Sequence, residues 1–319
     1  MYISGQHLLL LGIALFHLIM SWGEKESILP PGKLIDVDDR LVHYWVKGTG
    51  STTVVLDHSL GGIESYFLLE SIASLTRVCI YDRPGYGWSS PTFQSRCSGE
   101  IVRELDLLLT TSKIEPPYIL VGDSFGSYNM RLYAHHFPEK VKGLILTDGL
   151  HESGMLNMPW VVKAVKYLFI SGFVMSVLGS FLGIIRIIGT VGLFEVIKPK
   201  LRQFNLKQRQ QVKRSFYHYN HWLTMARELI NLDRSGHQLK VAKDLGDLPI
   251  IGIKSQSFFT PSVFTFFLPI KAINRLRDKM HYSLSLLSSN YTEIIAIKSS
   301  HFVWIDQPEI IVRAIEKLL

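Results

Sequence analysis

The residues with the clearest chemical potential form the pentapeptide Gly122-Asp123-Ser124-Phe125-Gly126. A serine hydroxyl is a weak nucleophile at neutral pH, and it needs a neighbouring base to take its proton. Glycines two positions before and after the serine remove side chains that would clash in a sharp turn between a strand and a helix. The pentapeptide therefore predicts a catalytic nucleophile at Ser124, with an ordinary Gly-Ser turn as the alternative.

The surrounding sequence predicts the elements that such a turn requires. The run 118–121 is short and apolar, as in a buried strand, and 127–137 has helical spacing and stops at Pro138. Seven other runs are predicted as strands, namely 33–37, 41–47, 53–56, 77–81, 141–147, 248–253 and 293–297, and three as helices, 63–75, 99–111 and 308–319. Short apolar strands that alternate with helices predict an α/β fold with a mainly parallel sheet, covered on both faces.

Three further motifs carry a family resemblance. They are Tyr81-Asp82-Arg83-Pro84-Gly85-Tyr86-Gly87-Trp88-Ser89, Pro116-Pro117-Tyr118-Ile119-Leu120-Val121-Gly122 and Arg131-Leu132-Tyr133-Ala134. With the pentapeptide, they resemble the α/β-hydrolase superfamily over about residues 33–319, most closely a bacterial-type branch of serine ester hydrolases. The resemblance implies an eight-stranded sheet with an inserted helical cap. Asp123 and Ser127 depart from the His and Gly usual in this branch, and an ionised Asp123 would disfavour ionisation of Ser124.

The resemblance also points to the base and the acid of a catalytic triad. His301 follows the predicted strand 293–297 and precedes the last helix, as the superfamily's histidine does, with a structural histidine as the alternative. The acid commonly follows the strand predicted at 248–253, but the next residues, 254–260, contain no carboxylate. Some branches place the acid one strand earlier, where Asp148 stands. We therefore expect Asp148 to be the acid; the alternatives are Glu152, or a triad without an acid.

An oxyanion hole requires two N–H donors. Phe125 follows the nucleophile and is expected to supply one of them. The second is expected from the loop His58-Ser59-Leu60-Gly61-Gly62, which resembles the family's His-Gly-x motif with Ser59 in place of glycine. Leu60 is the predicted donor in this loop, with Ser59 as the alternative.

Four segments follow from these assignments: 1–24 as a membrane anchor or signal, 33–150 and 246–319 as the two parts of the hydrolase core, and 151–245 as the cap. Residues 8–22 are apolar apart from His17 and Ser21, which favours an uncleaved anchor, and so a membrane-associated protein, over a cleaved signal or a buried helix. The apolar region 167–194 contains Arg186, which would be costly at a bilayer midplane. It is therefore expected to form a hydrophobic cap, which could rest on a membrane, and not a span.

Composition narrows the classes of partner. The 319 residues are 47% hydrophobic and 19% charged, a foldable composition for one large domain with an insertion. The net charge of +7 arises in the stretch 197–227, which has eight basic residues and no acidic one. Such a stretch can be a solvated face or face anionic lipid. Nucleic acid is not expected, because no recognition motif is present.

These residues predict a serine hydrolase that cleaves carboxylic esters through an acyl-enzyme on Ser124, without a metal or an organic cofactor. Aromatic side chains of the cap and of the loop after residue 253 suggest lipid or long-chain acyl esters, or else form the core of the cap; they are Phe216, Tyr217, Tyr219, Trp222, Phe258, Phe259, Phe264, Phe266 and Phe267. The alternatives are a non-catalytic protein that binds a small apolar ligand, and a hydrolase of amide or carbon–carbon bonds.

Overall fold

Eight strands form one sheet in the computed structural model of the chain, which describes residues 5–27, 29–259 and 265–319. The strands are β1 (Lys33–Asp36), β2 (Leu41–Lys47), β3 (Thr53–Asp57), β4 (Arg77–Tyr81), β5 (Tyr118–Asp123), β6 (Val141–Thr147), β7 (Ile250–Ser255) and β8 (Tyr291–Ala296). Their order across the sheet is β1-β2-β4-β3-β5-β6-β7-β8. Strand β2 is antiparallel to β1 and β4, and all the other pairs are parallel. The predicted fold is confirmed.

Helices cover both faces of the sheet. They are α1 (Gly5–Ser27), α2 (Ser65–Ala73), α3 (Ser98–Thr111), α4 (Phe125–His136), α5 (Glu152–Met155), α6 (Trp160–Phe181), α7 (Ile184–Thr190), α8 (Leu193–Ile197), α9 (Leu206–Tyr217), α10 (Tyr219–Ile230), α11 (Leu232–Gln238), α12 (Ile270–Ser285), α13 (Val303–Asp306) and α14 (Pro308–Leu318). One core lies under α3, α4 and α12, and a second lies under α2, α13 and α14. Every residue of β3 and β5 is buried, because each lies between these two layers.

Helices α5 to α11 lie between β6 and β7, in the segment predicted as the cap. The apolar region 167–194 is divided among α6, α7 and α8. The breaks fall at Gly183 and Gly192, which have φ angles of 75° and 79°, a region that glycine adopts without strain. Among the described residues, α6 is the one helix long and apolar enough to cross a membrane.

Helix α1 covers most of the segment predicted as an anchor, whose residues 1–4 lie outside the described ranges. It packs against α7, where the buried side chain of Arg186 forms an ion pair with Glu24. The charge of Arg186 is thus neutralised within the protein, which the sequence alone did not indicate.

Candidate active site

Ser124 lies on a sharp turn between β5 and α4. Its backbone has φ 49° and ψ −109°, a conformation that costs energy for any residue except glycine. A Cβ atom on Gly122 would lie 2.6 Å from the carbonyl oxygen of Gly126, and one on Gly126 would lie 2.2 Å from that of Asp57. The two glycines therefore allow the close approach that the turn requires. The N–H of Ser124 donates to the carbonyl of Thr147 at the end of β6, which holds the turn against the sheet.

The structure brings the three predicted triad residues together. Oγ of Ser124 lies 2.9 Å from Nε2 of His301, and Nδ1 of His301 lies 2.6 Å from Oδ2 of Asp148. His301 lies in the loop between β8 and α13, and its backbone N–H donates to the backbone carbonyl of Phe258. Because a carboxylate can only accept, Nδ1 of His301 carries a proton and Nε2 is free to accept the serine proton.

Asp148 follows β6 and is fixed from the neighbouring strand. Its N–H donates to the carbonyl of Ile253, and its Oδ1 accepts a hydrogen bond from the N–H of Ser255, 3.1 Å away. Burial by itself would raise the pKa of this carboxyl, but hydrogen bonds from His281 and His301 outweigh burial and lower it. The last residue of β7 thus supplies a donor to the acid, whereas residues 254–260 contain no carboxylate of their own.

Glu152, the alternative acid, lies elsewhere. Its Oε2 lies 2.7 Å from Nη2 of the buried Arg131, so it neutralises a charge between α4 and α5. Of the two candidates, Asp148 is the one that contacts His301.

Two further carboxyl groups are buried near Ser124. Burial raises the pKa of Asp123 well above its usual range, and the charges of Glu64 and Asp148 raise it further. Burial also raises the pKa of Glu64, against the opposing charges of Arg83 and His301. Both effects favour the neutral form of Asp123, and this form places no negative charge beside Ser124.

The predicted oxyanion loop is held by Arg83. This fully buried guanidinium donates to the carbonyls of His58 and Ser59 at 2.8 and 3.0 Å. It also forms ion pairs with Asp57 of β3 and Glu228 of α10. Leu60 lies in the turn that the Gly62 N–H closes on the Ser59 carbonyl. Phe125 is the first residue of α4, where backbone N–H groups have no acceptor within the helix.

Six of the nine aromatic residues predicted to line a pocket or form the core of the cap fall into three pairs. The ring of Phe258 stacks on His301 with centroids 4.0 Å apart, and Phe259 packs on Phe258. The cap residues Phe216 and Trp222 pack on each other, as in a cap core. Phe266 and Phe267 are exposed, and Phe264 lies outside the described residues.

Sequence reasoning missed three residues that support the site. His281 contacts Asp148, Arg83 holds the oxyanion loop, and Glu228 neutralises Arg83. Arg83 lies in the motif at residues 81–89 that resembles the α/β-hydrolases, so the sequence did mark it as a candidate. The local sequence did not mark His281 or Glu228, because the residues they contact are more than a hundred positions away in the chain.

Comparisons with known proteins agree with this fold. Residues 52–169 match the family described as the alpha/beta hydrolase fold. Among curated proteins, the chain is similar to the uncharacterized protein YbdG of Bacillus subtilis, with 27% identity over 130 residues, 39% of this chain and 40% of that protein. It is also similar to the (lyso)-N-acylphosphatidylethanolamine lipase of Mus musculus, with 34% identity over 103 residues, 30% of each. The chain therefore spans less than half of the length of these relatives.

Solved structures match over nearly the whole chain. The Cif epoxide hydrolase from Acinetobacter nosocomialis superposes with a TM-score of 0.67 at 15% identity, covering 96% of each chain. At this identity the likeness shows the fold alone. The predicted resemblance to α/β-hydrolases is confirmed.

Proposed function

Because the chain has the α/β-hydrolase fold, we propose that it is a serine hydrolase that cleaves carboxylic esters through an acyl-enzyme on Ser124. The observation that carries the proposal is the continuous hydrogen-bonded chain from Ser124 through His301 to Asp148. These hydrogen bonds place a nucleophile (Ser124), a base (His301) and an orienting carboxylate (Asp148) in the order that acyl transfer requires. Epoxide hydrolases of this superfamily use aspartate at the nucleophile position, where this protein has serine.

The reaction has two steps. Nε2 of His301 accepts the Ser124 proton while Oγ attacks the ester carbonyl carbon, and the N–H groups of Phe125 and Leu60 stabilise the oxyanion. When the carbon–oxygen bond to the alcohol breaks, His301 returns the proton to the leaving oxygen. Water then gives a proton to His301 as it attacks the acyl-enzyme, and Ser124 leaves with that proton. The carboxylate of Asp148 stabilises the imidazolium in both steps.

Long-chain acyl esters are the proposed substrate class. The ring of Phe258 stacks on the base, and Phe259 packs edge-on against Phe258. These rings give His301 an apolar neighbourhood, and Phe169 of α6 extends it. Apolar walls with a few polar groups suit acyl chains. The similarity to the protein named (lyso)-N-acylphosphatidylethanolamine lipase supports the same class.

Labelling with a fluorophosphonate probe tests the nucleophile. The wild type should be labelled on Ser124, and Ser124→Ala should not be. Ser289→Ala, at the opposite end of the sheet, is the matched control and should be labelled like the wild type. A folded wild type that resists the probe would overturn the proposal and favour a non-catalytic ligand-binding protein.

Turnover on matched p-nitrophenyl esters, anilides and diketones then tests the bond that is cleaved. We expect esters to be preferred and the rate to rise with acyl length from acetate to octanoate. Faster cleavage of an anilide or of a diketone would reject the ester assignment while leaving Ser124 as the nucleophile.

A further inference from the structure

Helix α1 turns three polar side chains toward the protein. His17, Ser21 and Glu24 share one stripe of the helix, and all three accept hydrogen bonds from Arg186 of α7. Arg186 is 2% exposed. Its contacts with His17 and Ser21 are 3.1 Å long, and Glu24 binds both of its terminal nitrogens.

A glycine allows this close packing. Gly183 begins the turn into α7, and a Cβ atom there would lie 2.6 Å from Cβ of His17 and 2.9 Å from the carbonyl oxygen of Ile13. Helix α1 is therefore fitted against α7 along a defined line of contact.

The other sides of α1 carry apolar side chains that face away from the protein. The most exposed are Leu11 (66%), Trp22 (65%) and Leu18 (62%), with Leu8, Leu15 and Ile19 also exposed. A helix on a protein in water has the reverse arrangement, with apolar residues inward and polar residues outward. Polar residues turned inward and paired with each other are typical of helices in apolar surroundings.

The cap continues this apolar surface. Helix α6 exposes Leu168, Val174, Met175, Leu178 and Phe181, and α8 exposes Val196 and Ile197. Helix α7 joins the two sets, since it packs against α1, α6 and α8. We refer to the exposed apolar side chains of α1, α6 and α8 as the apolar face. Patches of this kind on soluble monomers are uncommon and mark interaction sites.

The charged residues of the cap indicate which kind of partner the apolar face fits. Residues 156–227 contain eleven basic residues and one acidic residue, Glu195. Glu195 is buried and paired with Arg209 and Lys213, so the surface of this segment carries little negative charge. Arg202 and Lys207, which follow α8, are exposed. Apolar side chains beside exposed cations match an anionic lipid surface, in which acyl chains lie beneath negative headgroups.

We propose that the apolar face binds an anionic lipid surface, with α1 held to the cap by Arg186. The same helix that presents part of this face also reaches the active site, since Phe169 of α6 contacts Phe259 and Phe258 stacks on His301. A path of three aromatic rings, those of Phe169, Phe259 and Phe258, would therefore connect bound lipid with the base. The proposal rests on this surface and does not depend on the proposed ester chemistry, so Ser124→Ala should bind lipid as the wild type does.

Flotation of the full chain with vesicles tests the proposal. One set of vesicles contains phosphatidylcholine alone, and the other contains phosphatidylcholine mixed with phosphatidylglycerol. We expect the mixed vesicles to bind the protein at least about tenfold more tightly, because several cations contact the headgroups. The variant Met175→Glu/Leu178→Glu places two charges on one side of α6 and should weaken binding to both sets by about tenfold or more.

Charge reversal separates the electrostatic part from the apolar part. Arg202→Glu/Lys207→Glu should remove most of the preference for the mixed vesicles and keep the residual binding to phosphatidylcholine. The control Arg313→Glu/Lys317→Glu makes the same change on two exposed residues of α14 and should bind as the wild type does. Leu286→Glu, at an exposed leucine beside the amino end of β7, is the matched control for the charges introduced on α6.

Light scattering and circular dichroism complete the test. If the wild type does not float with either set of vesicles, the proposal is wrong. It is also wrong if Met175→Glu/Leu178→Glu and Arg202→Glu/Lys207→Glu both float as well as the wild type. A vesicle-free dimer that Met175→Glu/Leu178→Glu converts to a monomer would identify the apolar face as a subunit interface instead. Circular dichroism of each variant confirms that it is folded, so loss of flotation with an unchanged spectrum is specific to the surface.

Discussion

Nε2 of His281 lies 3.2 Å from Oδ1 of Asp148, on the carboxylate oxygen that His301 does not use. One carboxylate is thus shared by two imidazoles, and both are buried. Nδ1 of His281 has no hydrogen-bond partner among the described residues. His281 therefore orients the acid from helix α12, the element that follows the loop without a carboxylate.

Replacing His281 should lower the turnover of p-nitrophenyl butyrate without changing its KM. In His281→Phe the acid loses one of its donors and is held less firmly against His301, so we expect kcat to fall by about tenfold to a hundredfold. His281→Gln keeps a donor on a side chain of similar reach and should retain more activity than the phenylalanine variant. Steady-state kinetics check both, and equal kcat values for the wild type and His281→Phe would show that His281 does not orient the acid.

Substitution of the acid itself distinguishes Asp148 from Glu152. Asp148→Asn should lower kcat by roughly 10³ to 10⁴, because the amide can no longer hold and stabilise the imidazolium. Glu152→Gln should leave kcat near the wild-type value and lower the free energy of unfolding by roughly 3 kcal/mol, since it leaves the Arg131 charge buried and unpaired. Kinetics and urea denaturation of both variants provide the comparison. The reverse pattern would make Glu152 the acid.

Local sequence carried the information for the strands, the turn at Ser124 and the position of His301. A buried strand is a short apolar run in the sequence whichever strands it pairs with. The predicted hairpin 33–37 and 41–47 agrees with β1 and β2 within one residue. The acid was harder to predict, because a residue after β6 can serve only if the end of β7 holds it, which is a contact between distant positions.

The sequence of helix α12 has the apolar spacing of a helix. No element is predicted from the sequence at residues 270–285, yet Ile273, Leu276, Met280 and Leu284 recur at helical spacing and form the buried side of α12. His281 follows Met280 on this helix, but its partner Asp148 is 133 residues away. Its role could therefore be seen only when the fold had brought β6 and α12 together.

The ion pair between Arg83 and Glu228 should stabilise both the cap and the active site. Arg83 donates to both carboxylate oxygens of Glu228, at 2.9 and 3.0 Å, and both side chains are fully buried. Glu228→Gln removes one of the two charges that compensate Arg83, and Asp57 remains as the other. Because the hydrogen bonds from Arg83 and Tyr86 lose their charged acceptor, we expect the free energy of unfolding to fall by about 3 kcal/mol. We also expect kcat to fall, because Arg83 holds the loop that carries Leu60. Urea denaturation and steady-state kinetics measure the two effects.

Tyr86→Phe is the matched control for this pair. It removes only the hydroxyl that donates to Glu228 at 2.7 Å, and should lower the free energy of unfolding by about 1.5 kcal/mol with little change in kcat. Glu228→Gln would contradict the prediction if it unfolded at the same urea concentration as the wild type.

Asp123 should make the protein less stable as the pH rises. Burial raises the pKa of this carboxyl above its ordinary value of 3.8, so the folded state keeps a proton that the unfolded state has lost. The contribution of this proton to the free energy of unfolding is therefore fully present below the ordinary pKa and is lost as the pH rises through the pKa of the folded state. Asp123→Asn cannot ionise, and its free energy of unfolding should fall less than that of the wild type between about pH 5 and about pH 9.

Asp306→Asn provides a control of the opposite sign. Burial opposes ionisation of Asp306, but hydrogen bonds from Lys198 and Ser300 prevail and lower its pKa. Its stabilising contribution is thus present above the ordinary pKa and is lost as the pH falls through the folded value, so this substitution should flatten the acid side of the stability profile. Urea denaturation across the pH range measures both profiles. If the Asp123→Asn profile runs parallel to that of the wild type on the alkaline side, Asp123 is ionised in the folded protein, and a negative charge does stand beside Ser124.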